Sequence, residues 1–219
     1  MNTPAPAPAE SGTAEPENTQ PAATEPAPVP AHDFTGLTLR TERLILRPFG
    51  EQDIDAITEA CQDPLIKLYT VVPSPYARAD AEKFVREMVP SGRAAGTGAV
   101  FGVFLADTGE LAASVGLHNI GHLDTPYGGD GGIGYWAAPG TRGRGYTTEA
   151  VREVCRWAFE DLGLAVIRWE AIVGNEASWH VVEKVGFTRE GTRRALFVHR
   201  GVRVDMWVGS LLRTDLRSA

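Results

Sequence analysis

Two arginines and two glycines alternate just before an amphipathic segment, in the run Arg142-Gly143-Arg144-Gly145-Tyr146-Thr147. Glycine lets backbone N–H groups face a ligand without an intervening Cβ, and the first turn of a helix has N–H donors without intrahelical acceptors. Because the positive end of the helix dipole adds to these donors, the run is typical of an anion site. The arginines would add mobile positive charge at its rim. We therefore predict that this segment binds phosphate groups.

The spacing of these glycines differs from two other phosphate-binding patterns. It is neither G-x-G-x-x-G with a downstream acid nor G-x-x-x-x-G-K-[ST], which argues against a dinucleotide fold and a P-loop. The plain structural alternative is a glycine-rich turn carrying two solvated arginines. Strand, turn, glycines and helix pattern all agree with an anion site, and this agreement favours binding.

The elements that must position this run alternate between strand and helix patterns. A strand is predicted before it at 133–137, preceded by a glycine-rich loop at 128–132, and a helix with one apolar stripe after it at 145–162. Asp63-Pro64 is predicted to end one earlier helix, and Pro90 to lie beyond the end of another. Those two helices and one more are expected at 51–61, 80–88 and 176–185, and strands at 37–46, 99–106, 111–120, 166–173, 187–198 and 202–211. This order predicts an α/β layer architecture.

The first 33 residues have the composition of a disordered tail. They contain eight of the 15 prolines and no Phe, Trp, Tyr, Leu or Ile, so they cannot bury enough apolar surface to offset the entropy of ordering. We expect disorder at 1–33 and a folded domain at 34–219. The tail also carries five acidic residues and no basic one, and without it 23 acidic residues face 21 basic ones.

Charge, apolar runs and cysteines exclude several classes of protein. A nearly neutral body does not support nucleic-acid binding, which needs a clustered basic excess. The N-terminus lacks the basic start and apolar core of a signal peptide, and the longest apolar run, 99–106, is far short of a membrane span. Cys61 and Cys155 are isolated, so we expect neither a disulfide framework nor a metal site. A cytoplasmic protein without membrane or nucleic-acid partners fits best.

Four segments carry a resemblance to a known family. The loop run resembles the acyl-CoA pyrophosphate loop of the GNAT superfamily, Q/R-x-x-G-x-G/A, with Thr147 where a small residue is usual. Residues 41–48 (TERLILRP), 134–136 (GYW) and 175–178 (NEAS), the last followed by 183–187 (EKVGF) and 190–191 (EG), resemble its ribosomal-protein N-terminal acetyltransferase branch, the RimL/RimJ type. The motifs stand in family order and span about residues 37 to 210.

The resemblance implies a GNAT fold and an acyl-CoA donor, with acetyl-CoA expected. The fold would be α/β (α+β), with a mixed, mostly antiparallel sheet splayed at its centre between the strands at 133–137 and 166–173, and with flanking helices. In the family the pantetheine arm enters this gap. Backbone groups of Tyr135, Trp136 and Ala137 would then bind the arm, and one N–H would hold the oxyanion. Asn175 would contact the arm, and residues 142–147 would hold the pyrophosphate.

The resemblance also implies direct transfer in a ternary complex, in which a neutral amine attacks the thioester and a thiolate leaves. Many GNAT enzymes protonate that thiolate with a tyrosine of the last helix, but the corresponding position here is about Val182. Ser178 matches the serine that this branch offers instead. The alternative makes Asn175 an N-cap and Ser178 a first-turn residue, and a cap can coexist with a ligand contact.

The general base stays open at this point. His118 ends the strand expected to border the substrate cleft, and Glu170 lies on the strand after the splay, so either could take the amine proton. A single histidine on a strand is more often structural, and a water relay to bulk solvent is the default. Four residues near the cleft mouth either select the acceptor or form only a solvated turn: His122, Asp124, Tyr127 and Asp130.

Three functions remain open from the sequence. The first is acetylation of a protein N-terminus, such as that of a ribosomal protein. The second is acetylation of a small amine, such as an antibiotic, a polyamine or an amino acid, and the third is a non-catalytic acyl-CoA-binding module. Fold does not fix the acceptor, and neither the length of the acyl chain nor the oligomeric state follows from the sequence. A homodimer is compatible with the branch.

Overall fold

The computed structural model of the protein describes Met1, residues 32–123 and residues 125–217. The predicted disordered tail, 1–33, therefore lies almost entirely outside the described residues, as does Asp124. The described chain joins the core at Phe34, whose ring is buried and meets Trp157 edge-on at 5.4 Å between centroids. Just before it, Asp33 Oδ1 accepts a hydrogen bond from the Thr35 N–H at 2.8 Å.

The described residues form an eight-stranded sheet in the order β1-β2-β3-β4-β5-β6-β8-β7. Neighbouring strands are antiparallel except β5 and β6, which are parallel. The strands are β1 (Leu39–Arg40), β2 (Leu44–Arg47), β3 (Ala99–Leu105), β4 (Leu111–Gly121), β5 (Gly129–Ala137), β6 (Leu164–Ile172), β7 (Thr188–His199) and β8 (Val202–Leu212).

The parallel pair separates in the middle of the sheet. Its register ends where Ile133 of β5 faces Trp169 of β6. Beyond that point, β5 stays paired only with β4, as far as Ala137 opposite Ala113, and β6 stays paired only with β8. The edge of β5 at 134–137 is left without a strand partner on the β6 side. The predicted mixed, mostly antiparallel sheet with a central splay is confirmed.

Helices cover both faces of this sheet. They are α1 (Ile54–Ala60), α2 (Pro64–Tyr69), α3 (Arg78–Lys83), α4 (Val89–Ala94), α5 (Tyr146–Glu160) and α6 (Glu176–Val185), with a π turn at Phe84–Met88 between α3 and α4. Side chains of β3 alternate between two buried clusters: Phe101 packs with α5 and α6, and Phe104 packs with α1 and α3. None of the helices in the described segments is both long and apolar enough to cross a bilayer.

One predicted strand is wrong near the N-terminus of the domain, and one helix was not predicted. The segment at 37–46 is a hairpin of β1 and β2 rather than one strand, because Thr41 closes a turn with Leu44 through its N–H and its hydroxyl, both at 3.0 Å. The helix predicted at 51–61 ends at Ala60, before Asp63-Pro64, as expected. Asp63-Pro64 also begins the unpredicted helix α2, because Asp63 Oδ1 accepts the N–H groups of Leu65 and Ile66 at 3.0 Å, and proline suits the first turn.

Two further segments differ from expectation. The second predicted helix continues past Pro90 to Ala94, and a π turn precedes the proline, whose ring cannot donate the usual backbone bond. The glycine-rich loop expected at 128–132 is mostly the first half of β5, which starts at Gly129. The long helix after the anion run is confirmed as α5, with its predicted apolar stripe buried: Val151, Val154, Cys155, Ala158 and Leu162.

Candidate active site

A cleft of about 340 Å³ lies where β5 ends and α5 begins, between α2 and α6. We call it the donor cleft. Five of the six residues of the anion run line it, namely Arg142, Gly143, Gly145, Tyr146 and Thr147. Arg144, the sixth, is exposed and lies outside the lining. The remaining predicted donor contacts also line the cleft, and these are Tyr135, Trp136, Ala137 and Asn175.

The backbone of the anion run offers a row of free donors. Within the described residues, no backbone N–H from 142 to 148 donates to a protein acceptor, whereas the next one, Glu149, bonds to the Gly145 carbonyl at 3.0 Å. Gly143 and Gly145 have φ values of +77° and +80°, which L-residues with a side chain rarely adopt. A Cβ built on Gly143 would meet no protein atom within 4 Å. This concave row of N–H groups at the start of α5 fits a diphosphate.

Arg142 differs from the mobile charge that the sequence suggested. Its guanidinium forms an ion pair with Asp63 at 2.8 Å and donates to the Ala137 carbonyl at 3.1 Å. The hydrogen bond from Arg142 is the main reason that the pKa of Asp63 lies below its usual range, although partial burial opposes the shift. Arg142 therefore ties the anion run to the start of α2 and to the end of β5.

A second group of polar residues supports the run from the other side. Arg43 donates to Glu149 through Nε at 2.8 Å and to the Arg144 carbonyl at 3.4 Å, and its guanidinium lies 4.8 Å from the centre of the Tyr146 ring. Thr41 also donates to Glu149, at 2.5 Å. Burial alone would raise the pKa of Glu149, but these hydrogen bonds outweigh burial and lower it. Sequence reasoning missed this support, although residues 41–48 had been singled out.

Ser178 lies at the inner end of the donor cleft, in the first turn of α6. Asn175 Oδ1 accepts the Ser178 N–H at 3.2 Å, so Asn175 is the N-cap of that helix while it also lines the cleft. Ser178 Oγ accepts a hydrogen bond from Trp169 Nε1 at 3.1 Å and lies 2.9 Å from Tyr135 Oη. Burial raises the pKa of Tyr135, although its contacts with Ser178 and Trp169 oppose the shift.

An open groove of about 650 Å³ lies on the sheet face around the splay. We call it the acceptor groove. It shares Tyr135, Trp136, Asn175 and Ser178 with the donor cleft, so the two spaces meet at these residues. His118 and Glu170, the two candidate bases, both line the groove. The structure thus brings together all three residues predicted to take part in proton transfer.

His118 lies across from Gly132 on the neighbouring strand β5. A Cβ at Gly132 would come within 2.3 Å of His118 Cε1, so the imidazole lies directly over the glycine backbone. The surrounding protein atoms lower the pKa of His118, while the charge of Glu170 acts in the opposite direction. The direction of this shift favours the neutral imidazole, whose unprotonated ring nitrogen can accept a proton, although the side chain itself is exposed.

Helix α2 forms a wall common to both spaces, through Tyr69 and its C-terminal neighbour Thr70. Tyr69 donates to the Gly174 carbonyl at 3.3 Å, just before α6. Arg200, in the turn between β7 and β8, donates to the Lys67 carbonyl of α2 at 2.6 Å. These contacts were not predicted, because α2 itself was missed.

The remaining candidates lie at the rim of the groove or elsewhere. His122 contacts Asp130 at 2.7 Å, and Asp130 also pairs with Arg168, while Tyr127 is 86% exposed. His122 is the largest cause of the lowered pKa of Asp130. Val182, where many relatives place a tyrosine, is fully buried, so it presents no polar group to the cleft. Within the described segments, no group of three or more His, Cys, Asp or Glu side chains could hold a metal ion.

The chain has a clear family. The family described as "Acetyltransferase (GNAT) domain" matches this chain over residues 43–188. The match covers more than half of the chain and includes the anion run and Ser178. The protein therefore belongs to the GNAT acetyltransferase family.

Individual relatives refine this assignment. The Bacillus subtilis protein YdaF, named provisionally as a ribosomal N-acetyltransferase, is 36% identical over 107 residues, which cover 49% of this chain and 56% of YdaF. The uncharacterized N-acetyltransferase p20 of Bacillus licheniformis is 25% identical over 178 residues, covering 81% and 97% of the two chains. The protein is an N-acetyltransferase of this family.

A solved structure supports the fold. Mycobacterium smegmatis RimJ in complex with CoA-disulfide matches with a TM-score of 0.69 at 20% identity, covering 80% of this chain and 85% of RimJ. At this identity, the likeness concerns the fold alone. The family match and the free N–H groups of residues 142–148 agree with acetyl-CoA as the acyl donor, and the likeness of fold is compatible with it.

Proposed function

We propose that this enzyme transfers the acetyl group of acetyl-CoA to the N-terminal α-amine of a protein, in the manner of the RimL/RimJ type. The observation that carries the proposal is the junction of a donor cleft with a larger, open acceptor groove at Tyr135, Trp136, Asn175 and Ser178. A protein N-terminus needs room beside the donor, and the acceptor groove, at about 650 Å³, is the larger of the two spaces. The provisional name of YdaF favours a ribosomal protein as substrate.

The donor would be held mainly by backbone groups. The N–H groups of residues 142–148 would bind the pyrophosphate, and the unpaired edge of β5 at 134–137 would bind the pantetheine arm as an added strand would. The Ala137 carbonyl already accepts from Arg142, so the arm is expected to use the other groups of this edge. Asn175 would contact the arm from the side of α6.

The reaction would proceed by direct attack at the junction. The neutral amine attacks the thioester carbon, and a backbone N–H of β5 stabilises the oxyanion. The N–C bond forms, the C–S bond breaks, and Ser178 donates a proton to the departing sulfur. His118, Glu170 or a water relay removes the proton from nitrogen, and this proton returns to Ser178 through water in the groove. Among the three, His118 is favoured because its pKa is lowered and it lines the groove.

The proposal also covers the localisation and the oligomeric state of the enzyme. We place the enzyme in the cytoplasm, with a protein N-terminus as its partner. A homodimer is a separate expectation from the RimL/RimJ resemblance, and sedimentation of the full chain would test it.

A release assay for free thiol tests the function directly. The full chain is incubated with acetyl-CoA and a panel of unblocked peptides, with N-acetylated copies of the same peptides as matched controls and spermidine, an aminoglycoside and free amino acids as further acceptors. We expect CoA release with at least one unblocked peptide and a mass increase of one acetyl group at its α-amine. Release with small amines alone would support the small-amine alternative, and acetyl-CoA binding without any release would indicate a binding module.

A further inference from the structure

The side chain of Tyr135 makes contacts that the role predicted for its backbone in β5 does not explain. Its hydroxyl oxygen lies 2.7 Å from the Ser178 carbonyl oxygen and 2.9 Å from Ser178 Oγ. A carbonyl oxygen can only accept, so the single phenolic proton of Tyr135 points to the carbonyl. Tyr135 Oη must then act as the acceptor toward Ser178 Oγ.

Trp169 fixes the other side of the serine. Its indole N–H is only a donor, and it lies 3.1 Å from Ser178 Oγ, so Oγ accepts from Trp169. The one proton of the Ser178 hydroxyl is therefore directed at Tyr135. Trp169 thus donates a hydrogen bond to Ser178 Oγ, Ser178 Oγ donates one to Tyr135 Oη, and Tyr135 Oη donates one to the Ser178 carbonyl.

One side of this network is packed inside the protein, while Ser178 and Tyr135 remain partly accessible from the two spaces that they line. Trp169 is 2% exposed and Tyr135 is half-buried. Val182 of α6, the position at which many relatives carry a phenol, is fully buried and apolar. The phenol that contacts Ser178 therefore comes from strand β5.

We infer that Tyr135 is a positioning residue that sets the proton of Ser178 for donation to the leaving thiolate. Before reaction, Tyr135 Oη accepts a hydrogen bond from the Ser178 hydroxyl and so fixes its orientation. When Ser178 turns that proton to the sulfur, a rotation about the C–O bond of Tyr135 redirects the phenolic O–H from the Ser178 carbonyl to Oγ. Tyr135 keeps its own proton, and the serine recovers one from the amine through water. This inference rests on the proposed function.

Tyr135→Phe removes only the hydroxyl and keeps the ring that lines both spaces. We expect kcat to fall by about tenfold, with the KM for acetyl-CoA changed by less than about twofold. Ser178→Ala should lower kcat at least as much. Because Tyr135 acts through Ser178, the double variant should be no slower than Ser178→Ala alone.

The pH dependence separates this role from a merely structural one. Solvent protons can replace a lost donor more easily in acid, so the loss of kcat in Tyr135→Phe should be smaller at pH 6 than at pH 9. Tyr76→Phe is the matched control, because Tyr76 is a buried phenol of the other hydrophobic cluster, beside Cys61, and lines neither space. Its kcat should equal that of the unsubstituted enzyme.

The outcomes distinguish a failure of the proposed function from a failure of the role inferred for Tyr135. If the unsubstituted enzyme released no CoA with any acceptor, the proposed function would fail and the inference with it. If that enzyme is active while Tyr135→Phe keeps full kcat, or slows the Ser178→Ala background by a further tenfold, the inference alone is overturned. Calorimetric binding of acetyl-CoA by each variant shows that it is folded.

Discussion

The donor cleft and the acceptor groove are built in opposite ways. The part of the donor cleft predicted to bind an anion comes from one continuous stretch, residues 142–148, and offers backbone N–H groups at the start of α5. The acceptor groove is assembled from residues of six strands, β3 to β8, and of the helices beside them, among them His118 and Glu170. A backbone site depends on local conformation, whereas a side-chain groove depends on how distant strands align. Substitutions should therefore separate donor binding from turnover.

The largest expected effect concerns the anion run. Gly145→Glu places a carboxylate at the phosphate site and a side chain where φ is +80°. Two like charges about 4 Å apart repel by about 4 kcal/mol at an effective dielectric constant near 20, or about a thousandfold in Kd. We expect acetyl-CoA binding, measured by calorimetry, to be lost.

Gly163→Glu is the matched control for that substitution. Gly163 has a φ of +78° and open space around its Cβ position, and it follows the other end of α5. The same charge and the same backbone strain should leave acetyl-CoA affinity unchanged. Tight acetyl-CoA binding by Gly145→Glu would refute the assignment of the loop.

The second largest expected effect is on kcat and its pH dependence, and it concerns His118 in the acceptor groove. Since the pKa of His118 is lowered, the imidazole is neutral above its usual pKa of 6.5 and becomes charged only as the pH falls further. Once the rate is corrected for the fraction of neutral α-amine, whose ordinary pKa is about 8, we expect kcat with a peptide acceptor to be constant above pH 6.5 and to fall below it. His118→Ala should lower kcat at pH 7.5 by about a hundredfold and leave the Kd of acetyl-CoA unchanged.

Glu170→Gln serves as the companion variant, because Glu170 lines the same groove and its charge opposes the lowering of the His118 pKa. If His118 is the base, this variant should keep most of its kcat and move the acid limb to lower pH. Full kcat in His118→Ala would contradict that assignment and favour the water relay.

The smallest expected effect is on acetyl-CoA affinity, and it concerns the ion pair of Arg142 with Asp63 that joins the anion run to α2. Asp63→Asn keeps the N-cap oxygen but removes the charge that fixes Arg142, in an ion pair whose side chains are 13% and 33% exposed. We expect acetyl-CoA to bind about fivefold more weakly, since such a pair contributes about 1 kcal/mol. Glu51→Gln, in an exposed pair with Arg86, should leave the Kd unchanged. A Kd for Asp63→Asn equal to that of the parent would show that Arg142 needs no anchor.

The sequence reveals the donor cleft better than its surroundings. Glycines, arginines and the stripe of α5 lie close together along the chain, so their local pattern is enough to predict the anion site and the helix. The helix end before Asp63 was predicted correctly, but the start of α2 was not, because Asp-Pro can end one helix and start the next and only the contacts of Asp63 with Leu65, Ile66 and Arg142 reveal the second role.

Long-range contacts explain what remained hidden. The pairing of Arg43 with Glu149 joins residues far apart in sequence, and so does the contact of Tyr135 with Ser178. Alternating apolar residues at 37–46 fit one strand or two equally well, because both arms of the hairpin bury the same face. The predicted roles of Ser178, His118 and Glu170 remain predictions, although the structure brings the three to one groove.

The contact between His118 and Gly132 has an evolutionary consequence. The imidazole occupies the volume that any side chain at position 132 would need, since a Cβ there would come within 2.3 Å of the ring. A side chain at position 132 would therefore require the imidazole to leave its place over the glycine backbone, so among descendants of this sequence a larger residue at 132 should arise together with a moved or smaller side chain at 118, and with it a change in the group proposed to accept the proton of the amine.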